Sequence, residues 1–141
     1  MENYICEIVA TYKKKRGFKP FKASGTDQMI KFIRSVLPKN SINHFESFGV
    51  VFLDNALNVN GYKILSQGGI SGTVVDIKML FQSCIICNCS QIVIFHNHPT
   101  GNLQSSIADK EVTNKIKKGA KTLEIKVLDH FIVTEKGFTT V

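Results

Sequence analysis

The stretch QIVIFHNHPTG, residues 91 to 101, is the strongest constraint on what this chain can become. Its first half is nearly all apolar, without polar alternation, and predicts a strand buried on both faces in the middle of a sheet. Such a strand needs helices on both sides of it. Pro99 cannot continue a hydrogen-bonded ladder, so the strand stops just as it delivers His96, Asn97 and His98. Side chains alternate with period two, which sends His96 and His98 to the same side.

The flanking sequence supplies the helices and the other strands. Residues 4 to 12 alternate loosely and read as an opening strand, with KKKRGFKP as its exit turn. From Thr26, the residues Met29, Ile30, Ile33, Val36 and Leu37 fall on one helical stripe that Pro38 ends. SFGVVFLD and VNGYKILS read as two strands joined in a hairpin through Asp54 to Asn58, and GGISGT is a glycine-rich loop. A second helix starts near Asp76 and is expected to bury Ile77, Leu80, Phe81, Cys84 and Ile85. Ser106 opens a third helix reaching about Gly119, followed by the strand EIKVLDHFIVT and a final short strand across Lys136 and Gly137. The order β-α-β-β-α-β-α-β-β predicts an α/β fold, a mixed sheet with helices packed on it.

With 141 residues, 43% of them apolar, the chain is the size of one domain with a real core. Apolar runs such as residues 92–95 and 50–53 are too short to cross a bilayer, and the N-terminal charges follow the apolar stretch, the reverse of a secretory signal. A cytoplasmic location is expected, with no membrane partner. In that reducing setting the cysteines, three of them crowded at Cys84, Cys87 and Cys89, read as buried small residues. Cys84-x-x-Cys87 has no matching second pair that would make a zinc site. The net charge of +7 gathers between Lys13 and Arg16 and between Lys115 and Lys121, where weak nucleic-acid binding is the most that is expected. No aromatic residues interleave with these lysines, and solvated surfaces account for them better.

Two imidazoles side by side at a strand end most often share a metal ion. Ser106 and Asp109 have an innocent reading, because Ser-x-x-Asp at a helix start is a capping motif. The same placement puts Asp109 in the first helical turn, where a loop folding back brings it to His96 and His98. Two nitrogens and one oxygen suit Zn²⁺ and leave a fourth position for water. A carboxylate outside the metal's ligands would then take a proton from that water, and spacing leaves Glu46, Asp54 and Glu111 open.

His-x-His-Pro-Thr-Gly, with ten residues between His98 and Asp109, resembles the JAMM motif of JAB/MPN metalloproteins. HFESFGVVFLDN, GGISGTVVD, HNHPTGN and VLDHFIVT together are similar to the RadC-like branch, strongly over residues 40–141 and weakly before. The resemblance implies one JAB/MPN (cytidine-deaminase-like) domain over residues 1–141, with a curved mixed sheet between helices. It implies one zinc ion held by His96, His98 and Asp109, with Glu46 as general base and Ser106 as a hydrogen-bond donor to the oxyanion. Two positions depart from the family pattern: Ser105 stands where proline is usual, and Thr100 where serine is commoner. Asp129 and His130 also match a family signature; adjacent in a strand, they point to opposite faces, and His130 reads as a buried, hydrogen-bonded residue.

The implied function is zinc-dependent hydrolysis of an amide or isopeptide bond in a peptide or protein. The alternative is a DNA-repair-associated accessory module whose metal site is structural or vestigial. The helix-hairpin-helix module that often precedes this domain in longer relatives finds no room in the chain, which weakens that alternative. A nucleobase deaminase would need His-x-Glu followed by Pro-Cys-x-x-Cys; here Cys-x-x-Cys precedes the histidines and no such glutamate follows.

Overall fold

The computed structural model describes residues 5–9, 11, 13, 16, 21–68 and 74–141. Their elements run α1 (Thr26–Val36), β1 (Ser47–Leu53), β2 (Val59–Gln67), α2 (Ile77–Ile86), β3 (Gln91–Asn97), α3 (Ile107–Thr122), β4 (Lys126–Val133) and β5 (Phe138–Thr140). One five-stranded mixed sheet results, in the order β2-β1-β3-β4-β5. β3 runs antiparallel to β1 and parallel to β4, with α3 as the crossover between the parallel pair. The α/β class and the central place of residues 91–97 are as the sequence leads one to expect.

Alternation along the strands sorts the side chains into two layers. Val51, Leu53, Val93, Phe95, Phe131 and Val133 pack beneath α1, whose Met29, Ile30, Ile33 and Val36 are all buried. On the other face, Val50, Phe52, Ile92 and Ile94 meet Leu80 and Cys84 from α2 and Ile116 and Ala120 from α3. Full burial of one such side chain is worth about 1.5–3 kcal/mol, so both layers contribute substantially to stability. All seven residues of β3 and of β1 are buried, because helices cover both faces.

The sheet and helices differ from the sequence reading in four places. Residues 5–9 carry no regular structure and are exposed, with Ile5, Ile8 and Val9 among the most exposed apolar side chains. Alternation names the face a strand would bury, but it cannot supply a sheet edge to receive that face; Tyr4, Ala10 and Tyr12 lie outside the described residues. So do residues 69–73 of the glycine-rich loop. Ile85 is 59% exposed instead of buried, since α2 turns only Leu80 and Cys84 fully inward. Lys136 and Gly137 form the turn before β5 rather than a strand, closed by the Thr134 N–H donating to the Gly137 carbonyl at 2.9 Å. α3 runs through Gly119 to Thr122, because the missing side chain there makes room for Phe81: a Cβ would lie 2.5 Å from the Phe81 ring.

Cys84 and Cys89 are buried in the core and Cys87 is half-buried, while Cys6 is exposed. Hydrogen bonding to Cys89, then burial, pushes the Cys87 thiol up; Cys89 is pushed up to about 12, first by its bond with Cys84. Thiols held protonated are poor metal ligands. Among the described residues no helix is long and apolar enough to cross a membrane.

Gly49 lies directly across from Phe95, and an added Cβ would come within 2.3 Å of the ring. Gly49→Ala is therefore expected to lower the unfolding free energy by about 1–3 kcal/mol, the usual cost of overpacking a core. Equilibrium urea unfolding checks this, and an unchanged midpoint would show that the ring moves aside freely.

Candidate metal centre

The site assembles where the start of β1 meets the end of β3. These strands pair antiparallel with Phe48 opposite His96, and extending that register by two residues aligns Glu46 with His98. Residues opposite each other share a face, so Glu46, Phe48, His96 and His98 all project toward α3. Phe48 lies parallel to the His96 ring, with centroids 6.0 Å apart and planes 12° apart, and His96 is fully buried.

Past the strand, the chain turns back at Gly101, whose φ of 81° is costly for any residue with a side chain. The turn places the Asn102 carbonyl 2.6 Å from Nδ1 of His98. A carbonyl only accepts, so Nδ1 carries a proton and Nε2 of His98 is the nitrogen that faces the site. Ser106 then caps α3. Its hydroxyl accepts from the Asp109 N–H at 3.0 Å, and the Asp109 carboxylate accepts from the Ser106 N–H at 2.7 Å. The cap uses the serine oxygen as an acceptor, and the Ser106 side chain also hydrogen-bonds the Asp109 carboxylate. Ser105, standing where proline is usual, leaves this cap intact.

His96, His98 and Asp109 converge. Nε2 of His96 lies 3.0 Å from Nε2 of His98 and 3.2 Å from Asp109 Oδ1, and Nε2 of His98 lies 3.7 Å from Asp109 Oδ2. Among the described residues this is the one group of three or more side chains with donor atoms close enough to hold a metal ion, all within 4.8 Å of one another. The donor chemistry fits a divalent cation: two imidazole nitrogens and one carboxylate, with Nδ1 of each histidine already engaged by another group.

The surrounding charges reinforce the arrangement. Partial burial pushes Asp109 up, but His96 and the Ser106 N–H outweigh it and hold the carboxyl well below the usual range. Glu46 goes the other way. Burial lifts it above its ordinary value, against the attraction of His96 and His98 and with added repulsion from Asp109. Its carboxyl therefore feels all three residues of the group. Asp54 sits at the opposite end of β1, where its carboxylate accepts from Ala56 and Asn58 in the hairpin turn, and Glu111 is exposed on α3. No cysteine among the described residues is close enough to join the group.

Three residues matter here that the motif spacing did not single out for a role. Asn97, between the two histidines, points to the other face and is fully buried. Its Oδ1 accepts from the Ser47 N–H at 2.8 Å, and its Nδ2 donates to the carbonyls of Ile42 and Phe45, both at 2.9 Å. That clamp fixes the segment carrying Glu46. His130 is buried as expected, yet its side-chain partners are His96 and Thr113, not Asp129. Burial and then His96 push its pKa down to about 3, so it is neutral. The adjacent Asp129 and His130 marked this position in the sequence but did not name its partners.

A mixed sheet that carries a His-x-His pair at the carboxyl end of its central strand, with an aspartate closing on it from the next helix, has the architecture of a JAB-type domain. Residues 23–141 match the family model described as RadC-like JAB domain, and the chain belongs to that family. It is 43% identical over 93 residues to a UPF0758 protein of Flavobacterium johnsoniae, covering 66% of this chain and 41% of that protein. A UPF0758 protein of Pasteurella multocida is 38% identical over 88 residues, covering 62% of this chain and 39% of its own length. One from Pseudomonas fluorescens is 36% identical over 88 residues, with the same shares. The chain thus spans about two fifths of the length of the curated relatives it matches.

Removing the Asn97 side chain strands one buried N–H and two carbonyls at once. Asn97→Ala is expected to lower the unfolding free energy by at least about 1–3 kcal/mol, the penalty for one orphaned buried group. Wild-type stability in urea would mean that water replaces the clamp.

Proposed function

We propose that this chain is a zinc-dependent hydrolase of the JAMM type, cleaving an amide or isopeptide bond in a peptide or protein. The observation that carries the reading is the convergence of His96 Nε2, His98 Nε2 and the Asp109 carboxylate beside a half-buried Glu46 whose pKa is raised. His96, His98 and Asp109 would hold the ion. When bound there, zinc supplies Lewis acidity, polarising a carbonyl and lowering the pKa of water from 15.7 to about 7.

Glu46 suits proton transfer because it stands outside the ligand group and its raised pKa brings it nearer neutrality. It would take the proton from the attacking water as the new C–O bond forms. It would return that proton to the leaving nitrogen as the C–N bond breaks. Ser106, beside Asp109 at the start of α3, would donate its hydroxyl proton to the carbonyl oxygen as charge develops there.

A DNA-associated module remains the second reading, favoured by one observation: Lys115, Lys117, Lys118 and Lys121 are all exposed on α3. If these lysines only solvate the surface, binding to duplex DNA should be weak and should vanish as salt rises. Tight, selective binding at physiological salt would favour the second reading.

The hydrolase reading is tested on peptides and ubiquitin-like conjugates, with zinc measured on the same preparations. Glu46→Gln should keep one zinc per chain and lose at least about 10²-fold in rate, since general acid–base assistance contributes about 10²–10⁴-fold. Ser106→Ala should keep zinc and lose on the order of 10²-fold, as for one oxyanion donor. His98→Ala should lose the metal itself. A fully active Glu46→Gln would assign the base elsewhere, and one that loses its zinc would make Glu46 a ligand.

A further inference from the structure

Thr113 and His130 have no part in the chemistry above, yet both are buried, at 3% and 2% exposure, and they link the metal-site residues to one another. The Thr113 hydroxyl lies 2.5 Å from the backbone carbonyl of Asp109 and 2.5 Å from Nδ1 of His130. Nε2 of His130 lies 2.8 Å from Nδ1 of His96. The direction of every bond follows from one end. The Asp109 carbonyl can only accept, so the single Thr113 proton goes to it. The Thr113 oxygen must then accept, and Nδ1 of His130 carries a proton. A second proton on His130 would make it a cation buried edge-on against Phe48, their centroids 5.5 Å apart, in a place water cannot reach. His130 Nε2 is therefore an acceptor, and His96 donates to it from Nδ1. That leaves Nε2 of His96, which faces Asp109 and His98, as the nitrogen placed to take a metal ion.

The geometry points to Thr113 and His130 as positioning residues that lock His96 with its proton on Nδ1 and so set how tightly the site holds a metal ion. This rests on the reading of His96, His98 and Asp109 as a metal centre. The chain of bonds begins and ends on Asp109: its carboxylate faces His96 directly, and its carbonyl reaches His96 through Thr113 and His130. Three elements, β3, β4 and α3, are fixed relative to one another by that circuit. Groups that orient a metal-binding histidine in this way typically contribute 10–100-fold in affinity.

Thr113→Val removes the hydroxyl and keeps the shape, and Thr113→Ser keeps the hydroxyl. Zinc affinity, measured by competition with a chromogenic chelator on protein shown to be folded by circular dichroism, should fall about 10–100-fold in Thr113→Val. It should recover in Thr113→Ser. A folded Thr113→Val with wild-type affinity would overturn the proposal. Nitrogen-15 NMR of the histidines in the metal-free wild-type chain gives an answer that needs neither variant nor metal. The expected state is a proton on Nδ1 of His96, shared in a hydrogen bond with His130; a bare Nδ1 overturns the proposal. Wild-type protein that takes up no zinc would defeat the metal-centre reading and the affinity half of the proposal together. The tautomer half then stands or falls on the NMR alone.

Discussion

At the end of β3, three consecutive side chains leave the backbone on alternating faces, and the candidate site depends on that alternation. His96 and His98 go to the face covered by α2 and α3. Asn97 goes to the other, where it holds the segment leading into β1. One tripeptide therefore supplies two nitrogens of the group that could hold a metal ion and fixes the backbone that carries Glu46. A slip of one residue in the β1–β3 register would exchange the faces of every side chain in β3. Both strands are packed on both sides by fully buried Val, Ile and Phe residues, so such a slip would bury His96 in the wrong layer and is strongly disfavoured.

The parts of this fold legible in the sequence are those with a period. The stripe from Met29 to Val36, the apolar run of β3 and the hairpin after Leu53 each announce their structure locally. What failed depended on partners elsewhere in the chain. The alternation across residues 5–9 implies nothing about an edge to pair with, and Ile85 continues an apolar spacing of which α2 buries only Leu80 and Cys84 fully. The site divides in the same way. His96, His98, Ser106 and Asp109 lie within fourteen residues, and their spacing is readable. Glu46, Asp54 and Glu111 are equivalent as letters; the antiparallel pairing of β1 with β3 sends Asp54 to the far end of the sheet and Glu46 to the histidines. Asn97, Thr113 and His130 act on residues 17 to 55 positions away, and no local pattern encodes such a bond.

The capping and metal-binding readings of Ser106 and Asp109 look like rivals in the sequence. In the structure one carboxylate is placed for both. Oδ2 of Asp109 closes the capping box with the Ser106 N–H, while Oδ1 faces His96. The two uses reinforce each other, because a capping carboxylate at a helix N-terminus is stabilised as an anion by the free N–H groups and the helix dipole. Asp109 is thus ionised and its rotamer restricted by the helix before any cation arrives. A cap normally costs a helix nothing in function. Here it orients the oxygen donor of the site, and the helix that carries it is held against the sheet by Ile116 and Ala120. Core packing, helix capping and ligand geometry therefore act on the same residue, which links the stability of α3 directly to the competence of the site.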